Sequence, residues 1–488
     1  EEALHCYKKA IEIDPNLAKP WNEAGVVLSE MMEYEAAIKN YNKAIEIDEN
    51  NIDSWINKTV ALVELKKFTS ALKTCNIALN IDPKMYEAVL NKGVILSNLN
   101  KSDEALIYFD KAIQLKKDDS EVYSNKGEAL NLQQKYNEAI INFDISLEIN
   151  KNNANAHHNR AYANFCQLNF EEAWCDFSWR WSLNKMKSSK LVSNKPEWFG
   201  ELKGNRLFIW AEQGIGEQIM FSSLFSMLRN YPFEILVSLD RKLIPIYKRS
   251  FPEFFFYDRT FKISEDKYDK HCSIGDLGRN LIKKKEDLAK RVFPYLIIEE
   301  KKFNKNNYLK IKEKIICGIS WKSYGKNFGF EKSIPIEYFQ EIFNNNNIKF
   351  INLQYEKGNT IPINEKRILE KYDIEINENI NIYENIDELC NLISECDLVI
   401  TCSNSTAHLA GALNKQTILM IPKERGRFWY WSGDQKQSIW YPSVNIIIQD
   451  EVNDWKLPIS ELKNYLDKLL KNELSKDISQ VNHRYIKL

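Results

Sequence analysis

Apolar and small residues recur along the first third of the chain at helical spacing, and the whole pattern repeats with a step of 34, marked by Asn57, Asn91, Asn125 and Asn159. One aligned column holds Trp55, Tyr123 and His157, another Gly25, Gly93, Gly127 and Ala161, and a third Ala37, Ala71, Ala105, Ala139 and Ala173. A column of large residues (Tyr41, Cys75, Phe109, Phe143, Phe177) runs with one of small residues (Ala10, Ala44, Ala78, Ala112), the large-into-small packing that stacked helical hairpins need. The unit from Ala154 ends in Trp174, Phe177, Trp179 and Trp181, a helix with a broad apolar face expected to dock the array onto the C-terminal part of the chain. Beyond Pro196 the pattern changes to short apolar runs separated by helical stretches. These predict strands at Arg206 to Ala211, Glu234 to Leu239, Phe254 to Tyr257, Ile315 to Trp321, Ile348 to Gln354, Asp397 to Thr401 and Gln416 to Ile421.

A 34-residue period with these columns is the signature of tetratricopeptide (TPR) helical hairpins. Residues 1–185 are therefore expected to form a TPR α-solenoid of about five units, a peptide-binding or scaffolding array. Ala3, Tyr7, Ala10 and Pro15 fit the second helix of a repeat, so the chain is expected to start inside a repeat of a longer protein. Strands alternating with helices predict parallel α/β sheets, and the polar stretch Glu299 to Lys314 divides them. The expected fold class is thus α + α/β, with Rossmann-like domains at 186–310 and 311–488 facing each other across a cleft and ligands at the strand C-termini.

Composition narrows the function classes. A net charge of −1 does not suit a basic nucleic-acid binder, and no apolar run approaches the ~20 residues of a membrane span. The nine cysteines form no CxxC pair and do not cluster with the six histidines, so neither a metal site nor a disulfide framework is expected. They read as reduced thiols of a cytoplasmic protein. Lys, Asn and Ile are abundant throughout, which discounts any lone Lys or Asn.

Three junctions after predicted strands carry candidate chemistry. The first runs from Trp210 through Glu212, Gln213, Gly214, Gly216 and Glu217 to Gln218: a glycine turn opening a helix, whose amides suit an anion. Glu217 is the candidate base there, although an acid in a first helical turn is also favoured by the helix dipole. The second, Ser403-Asn404-Ser405-Thr406 before His408, suits a diphosphate through free N–H groups and hydroxyls. Ser, Asn and Thr are also ordinary N-caps, and His408 could meet a phosphate or pack on the sheet. The third holds Lys322, Ser323, Tyr324, Lys326, Lys332 and Ser333, with Lys332 favoured to offset a leaving group. Gln354 and Glu356 lie where a Rossmann half would read a ribose or base. In Pro422 to Trp431 the aromatics could stack a base or sugar or plug a core; the tryptophans are assigned to packing and Arg427 is left open.

The segments Glu197-Trp198, Ala211-Glu212-Gln213-Gly214-x-Gly216-Glu217-Gln218-x-x-Phe221, Ser403-x-x-x-Ala407-His408-Leu409-Ala410-Gly411-Ala412-Leu413 and Trp440-Tyr441-Pro442 resemble bacterial TPR proteins with a C-terminal glycosyltransferase region related to the heptosyltransferases, glycosyltransferase family 9. The resemblance spans about Pro196 to Gln449. It implies a GT-B fold, a nucleotide-sugar donor as substrate with no further cofactor, and metal-independent transfer with inversion. Glu217 stands where the family usually has Asp, and Ser403 to His408 where heptosyltransferases commonly read Asp-Thr-Gly-x-x-His. Asn57, Asn91, Asn125 and Asn159 are similar to the asparagine ladder of O-GlcNAc transferase, which holds a peptide backbone, although Asn is also a frequent consensus residue at that TPR position. The leading expectation is a protein glycosyltransferase with a polypeptide in the TPR groove. A non-catalytic scaffold and an enzyme acting on a glycan or lipid-linked acceptor are the alternatives.

Overall fold

A computed structural model describes the chain except residues 1, 184–185, 187–188, 213, 300–313, 326–327, 357–359, 377–380, 432–435 and 486–488, with side chains described up to residue 471. It divides into two compact units, residues 1–163 and 164–488.

The first unit consists of helices paired as the 34-residue step predicts: Ala18–Glu30 with Tyr34–Ile47, Ile52–Glu64 with Phe68–Ile81, Tyr86–Asn98 with Ser102–Leu115, and Ser120–Leu132 with Tyr136–Ile149, preceded by Glu2–Ile13. The glycine column exists because the aromatic column occupies its space. A Cβ on Gly25, Gly93 or Gly127 would lie 2.5, 2.6 or 2.5 Å from the ring of Tyr41, Phe109 or Phe143. In the repeat where Thr59 replaces the glycine, Cys75 replaces the ring, so the volume is conserved.

In the second unit β1 (Arg206–Trp210), β2 (Glu234–Leu239), β3 (Phe255–Asp258) and β4 (Lys270–Ser273) form a sheet in the order β3-β2-β1-β4. A second sheet contains β5 (Ile315–Ser320), β6 (Ile348–Asn352), β7 (Leu398–Cys402), β8 (Thr417–Ile421) and β9 (Val444–Ile448) in the order β6-β5-β7-β8-β9. Every strand pair in both is parallel, as the alternation of strands and helices predicts. β4 and β9 were not among the predicted strands. The core of the second sheet joins Ile319, Ile400 and Met420 to Trp321 and to Ile459, Leu462 and Leu466 of the last helix.

The division at 163/164 falls earlier than the expected end of the array at 185, because the aromatic stretch packs within the second unit. Trp174 lies on Gly278, where a Cβ would be 2.1 Å from the indole, and meets Phe165 edge-on at 4.5 Å. Arg180, 1% exposed, bonds Glu212 through Nε and Nη2 (3.0 and 2.9 Å), Asp276 through Nη1 (2.9 Å) and Ser273 Oγ (3.0 Å). It thereby ties the turn Ser178–Ser182 to the loops after β1 and β4.

Candidate functional site

The three junctions converge. β1 ends beside Gly214, which opens the helix Ile215–Ser222; β7 ends beside Ser403 and Asn404, which open the helix Ser405–Ala412; and β5 leads to the short helix Gly329–Lys332. Between them lies a cavity of 530 Å³ lined by Gly214, Gly216, Glu217, Lys332, Ser403, Asn404, Ser405 and His408. A volume of this size suits a small ligand. Lys242, Tyr324, Tyr355, Tyr383, Phe428 and Tyr430 also line it; Tyr324 belongs to the third junction and Phe428 and Tyr430 to the aromatic stretch after β8, whereas Lys242, Tyr355 and Tyr383 lie outside the motifs singled out in the sequence.

Close approach explains the glycines of the first junction. A Cβ on Gly216 would sit 2.8 Å from Cδ2 of His408, so the two helices meet only because residue 216 has no side chain. A Cβ on Gly214 would lie 3.0 Å from Oε2 of Glu217, whose carboxylate folds back over the turn. Burial raises the Glu217 carboxyl above its ordinary range, against the opposing pull of its own backbone N–H and of Lys332. A carboxyl raised by burial holds a proton more tightly than an exposed one, the direction of shift that suits a general base.

Lys332 is 8% exposed, and its ammonium has no hydrogen bond or ion pair among the described residues. Burial lowers its pKa, with Cys402, Glu217 and Glu331 pulling the other way. The chain leaves room for it with two further glycines: a Cβ on Gly325 would meet Nζ at 3.1 Å, and one on Gly426, at φ +85°, would meet Cγ at 2.8 Å. His408 is 3% exposed and holds the Tyr441 hydroxyl through Nδ1 at 3.0 Å. Burial, helped by Lys332, pushes its pKa down to about 3, so the imidazole is neutral and its Nε2 faces the Gly216 turn.

The hydroxyl-rich loop sorts itself into different roles. Asn404 caps the helix by accepting from Ala407 N–H at 3.2 Å and braces β5 by donating to Ser320 Oγ and Lys322 O, both at 3.0 Å. Ser403 Oγ accepts from the Trp431 indole N–H at 3.0 Å, and Ser405 lies 3.5 Å from the Tyr355 hydroxyl. Thr406 is fully buried, with no partner for Oγ1 among the described residues, and does not line the cavity.

Other candidates stand elsewhere. Gln354 is not at the cavity: its Oε1 accepts the N–H groups of Trp321 and Lys322 (3.0 and 2.8 Å) and its Nε2 donates to Tyr355 O (2.8 Å), which makes it a brace for the turn after β5. Ser333 accepts from Ser323 N–H, donates to Gly329 O, and lines a neighbouring cavity of 670 Å³ with Lys322, Tyr324, Phe330 and Glu365. Lys322 is ion-paired with Glu356 and Glu365, and Tyr324 donates to Glu356. Arg427 is 8% exposed and lines neither cavity. Gln213 and Lys326 lie outside the described residues.

In the first unit Asn57, Asn91, Asn125 and Asn159 are half-buried. Asn57 donates to Asn22 Oδ1 at 3.1 Å, and the backbone carbonyl of Asn159 accepts from Asn131 at 3.0 Å. The side-chain amides of Asn91 and Asn125 have no hydrogen bond among the described residues. No helix among the described residues is long and apolar enough to cross a membrane, and no cluster of three metal-ligating side chains occurs among them. The cysteines are free thiols; Cys6 and Cys175 are exposed and the other seven buried.

Tetratricopeptide-repeat family models match residues 6–39 and 86–119. The N-terminal helices are tetratricopeptide repeats. Protein FlbA of Caulobacter vibrioides (strain ATCC 19089 / CIP 103742 / CB 15) is 24% identical over 310 residues, covering 57% of this chain and 50% of FlbA. The chain thus spans about half the length of the curated relative it matches. Among solved structures, that of YrrB, described as a TPR protein with an unusual peptide-binding site, is 23% identical and covers 37% of this chain and 92% of YrrB at a TM-score of 0.30. That of PilF from Pseudomonas aeruginosa is 23% identical and covers 38% of this chain and 82% of PilF at a TM-score of 0.32.

Proposed function

We propose that the second unit is a GT-B glycosyltransferase, two Rossmann-like halves with a nucleotide-sugar site between them, and that the TPR array presents a polypeptide acceptor. The observation that carries this is Lys332, a buried cation that lies 4.9 Å from the Phe428 ring centre but has no anionic partner among the described residues, lining the same cavity as a helix N-terminus and as a carboxyl raised above its usual range. A buried cation without an anion beside it is costly in a folded protein, and an aromatic face offsets only part of that cost. A ligand bearing negative charge would supply the missing partner, and a helix N-terminus favours the same charge.

In this reading Glu217 takes the proton of an acceptor hydroxyl as its oxygen attacks the anomeric carbon. The bond from that carbon to the diphosphate oxygen breaks with inversion, and the electron pair leaves with the nucleoside diphosphate. Lys332, the amides opening the helix Ser405–Ala412, and the hydroxyls of Ser403 and Ser405 would offset the charge that grows on the departing oxygen. Neutral His408 would act as a hydrogen-bonding group rather than as a second cation. Asn91 and Asn125 would hold the acceptor's backbone.

A non-catalytic scaffold is the second reading, favoured by Asn404, whose side chain is fully engaged inside the fold and offers no donor to a ligand. Thermal stabilisation of the purified chain by a panel of nucleoside diphosphates separates the two, because a ligand that binds only the folded state raises its stability. A shift with one base, lost in Lys332→Gln and retained in Glu217→Gln while sugar transfer disappears, is the expected result. No shift with any of them in folded protein would leave the scaffold.

A further inference from the structure

Trp431 lies in a stretch of aromatic residues whose sequence suggests packing, yet it makes the single polar contact of Ser403 with another side chain among the described residues. Its indole Nε1 is 3.0 Å from Ser403 Oγ. An indole nitrogen can only donate, whereas a hydroxyl can donate once and accept twice. Ser403 Oγ is therefore the acceptor, and its own proton remains to be placed. No acceptor for it exists among the described residues, and the side chain is 3% exposed and lines the 530 Å³ cavity. The cavity is the direction in which that proton can find a partner.

We propose that Trp431 is a positioning residue that makes the Ser403 hydroxyl a hydrogen-bond donor toward an anionic ligand in this cavity. The role rests on the reading of the cavity as a diphosphate site. Trp431 is itself fully buried and held on several sides: its ring lies 4.8 Å from His408 at an interplanar angle of 36°, 5.6 Å from Tyr441 at 31°, and 5.1 Å from Tyr430 at 70°. A rigid donor behind the serine fixes the polarity of the loop before a ligand arrives. With Lys332 and the helix amides, that polarity presents donors and positive charge together. It matches phosphate oxygens, which only accept, and discriminates against a neutral polyol, whose hydroxyls also need acceptors.

Trp431→Phe removes the N–H and keeps an aromatic ring in place. The affinity of the full chain for inorganic pyrophosphate, measured by titration calorimetry, should fall about tenfold in Trp431→Phe and in Ser403→Ala, since each forfeits one hydrogen bond to a charged group. The double variant should lose no more than either single one, because both act through one proton. Losses that multiply in the double variant would reduce Trp431 to packing. Unchanged affinity in folded Ser403→Ala would also overturn the role, whatever the fate of the Trp431 variant. Failure of the wild-type chain to bind pyrophosphate would instead overturn the diphosphate site itself, a result separate from either of these.

Discussion

Replacing Arg180 by Met tests the architecture under the first junction. The guanidinium gives two bonds to Glu212, one to Asp276, one to Ser273 Oγ and one to the carbonyl of Phe177, and it lies between the rings of Phe177 and Trp181 at 4.2 and 4.3 Å. Met keeps most of the stem between those rings and deletes the charge. Two carboxylates, each 6% exposed, are then left without their cation, and breaking a buried ion pair from one side costs about 3–5 kcal/mol. The sign of the pH dependence comes from the same groups. In the wild type burial keeps Glu212 above its ordinary value in spite of Arg180, whereas for Asp276 burial is overcome by Arg180 and Arg279, which hold it below. Without Arg180 both carboxyls rise above their unfolded values. A group raised in the folded state contributes stability below its unfolded pKa and loses it as pH climbs through the folded one. The deficit of Arg180→Met should therefore be small near pH 4 and grow toward pH 8, by about 1.4 kcal/mol per pH unit for each carboxyl in its window. Urea unfolding monitored by tryptophan emission reads it, since Trp181 and Trp210, 5.3 Å apart, flank the cluster. Adding Glu212→Gln and Asp276→Asn should restore most of the loss. A deficit under about 1 kcal/mol at pH 8, or one equal at pH 5 and pH 8, would refute the ion cluster.

In the repeats, Gly93→Ala drives a Cβ to 2.6 Å from the buried Phe109 ring and should cost about 1–3 kcal/mol in thermal unfolding, with Phe109→Leu in the same chain recovering part of it. Thr406→Val should leave pyrophosphate affinity unchanged and hold or raise stability by up to about 1 kcal/mol, because it removes a buried hydroxyl without a partner; loss of binding would return Thr406 to the site. Lys332→Met should abolish pyrophosphate binding yet stabilise the ligand-free protein by about 1 kcal/mol near neutral pH. Because the Lys332 pKa is lowered on folding, the wild type gains stability as pH rises toward the ordinary lysine value, and the variant should lack that rise in denaturation measured from pH 7 to 10.

The array was legible because its period repeats the same demand at each step: where a ring must enter, a glycine must stand. The strand ends were legible for a related reason, since a glycine turn or a run of cap residues after an apolar stretch marks a strand giving way to a helix. Apart from β9, whose Val444–Ile448 run carries an ordinary apolar strand signal, the features that escaped depend on partners distant in sequence. β4 is a four-residue strand containing Lys270, His271 and Ser273, without an apolar run, and it is fixed by its parallel pairing with β1. Arg180 reaches partners 32 and 96 residues away, and no local pattern announces them. Gln354 read as a ligand group because it ends a strand, but the backbone N–H groups of Trp321 and Lys322, in the turn after the neighbouring strand β5, claimed it first. Trp431 looked apolar because the acceptor of its N–H lies in another loop.

Pairing decides which of the charges at these strand ends remain for chemistry. Glu212 and Glu217 belong to one motif and are equivalent in sequence; Arg180 holds the first, while the second has no ion pair among the described residues. Lys322 and Lys332 come after the same strand, and again the first is neutralised, by Glu356 and Glu365, and the second is not. Both remaining charges line the same cavity, together with the helix N-terminus whose loop serines border it. A fold that pairs one member of each set and leaves the other two lining one cavity supplies the acid and the cation on which the proposed proton abstraction and anion departure would draw.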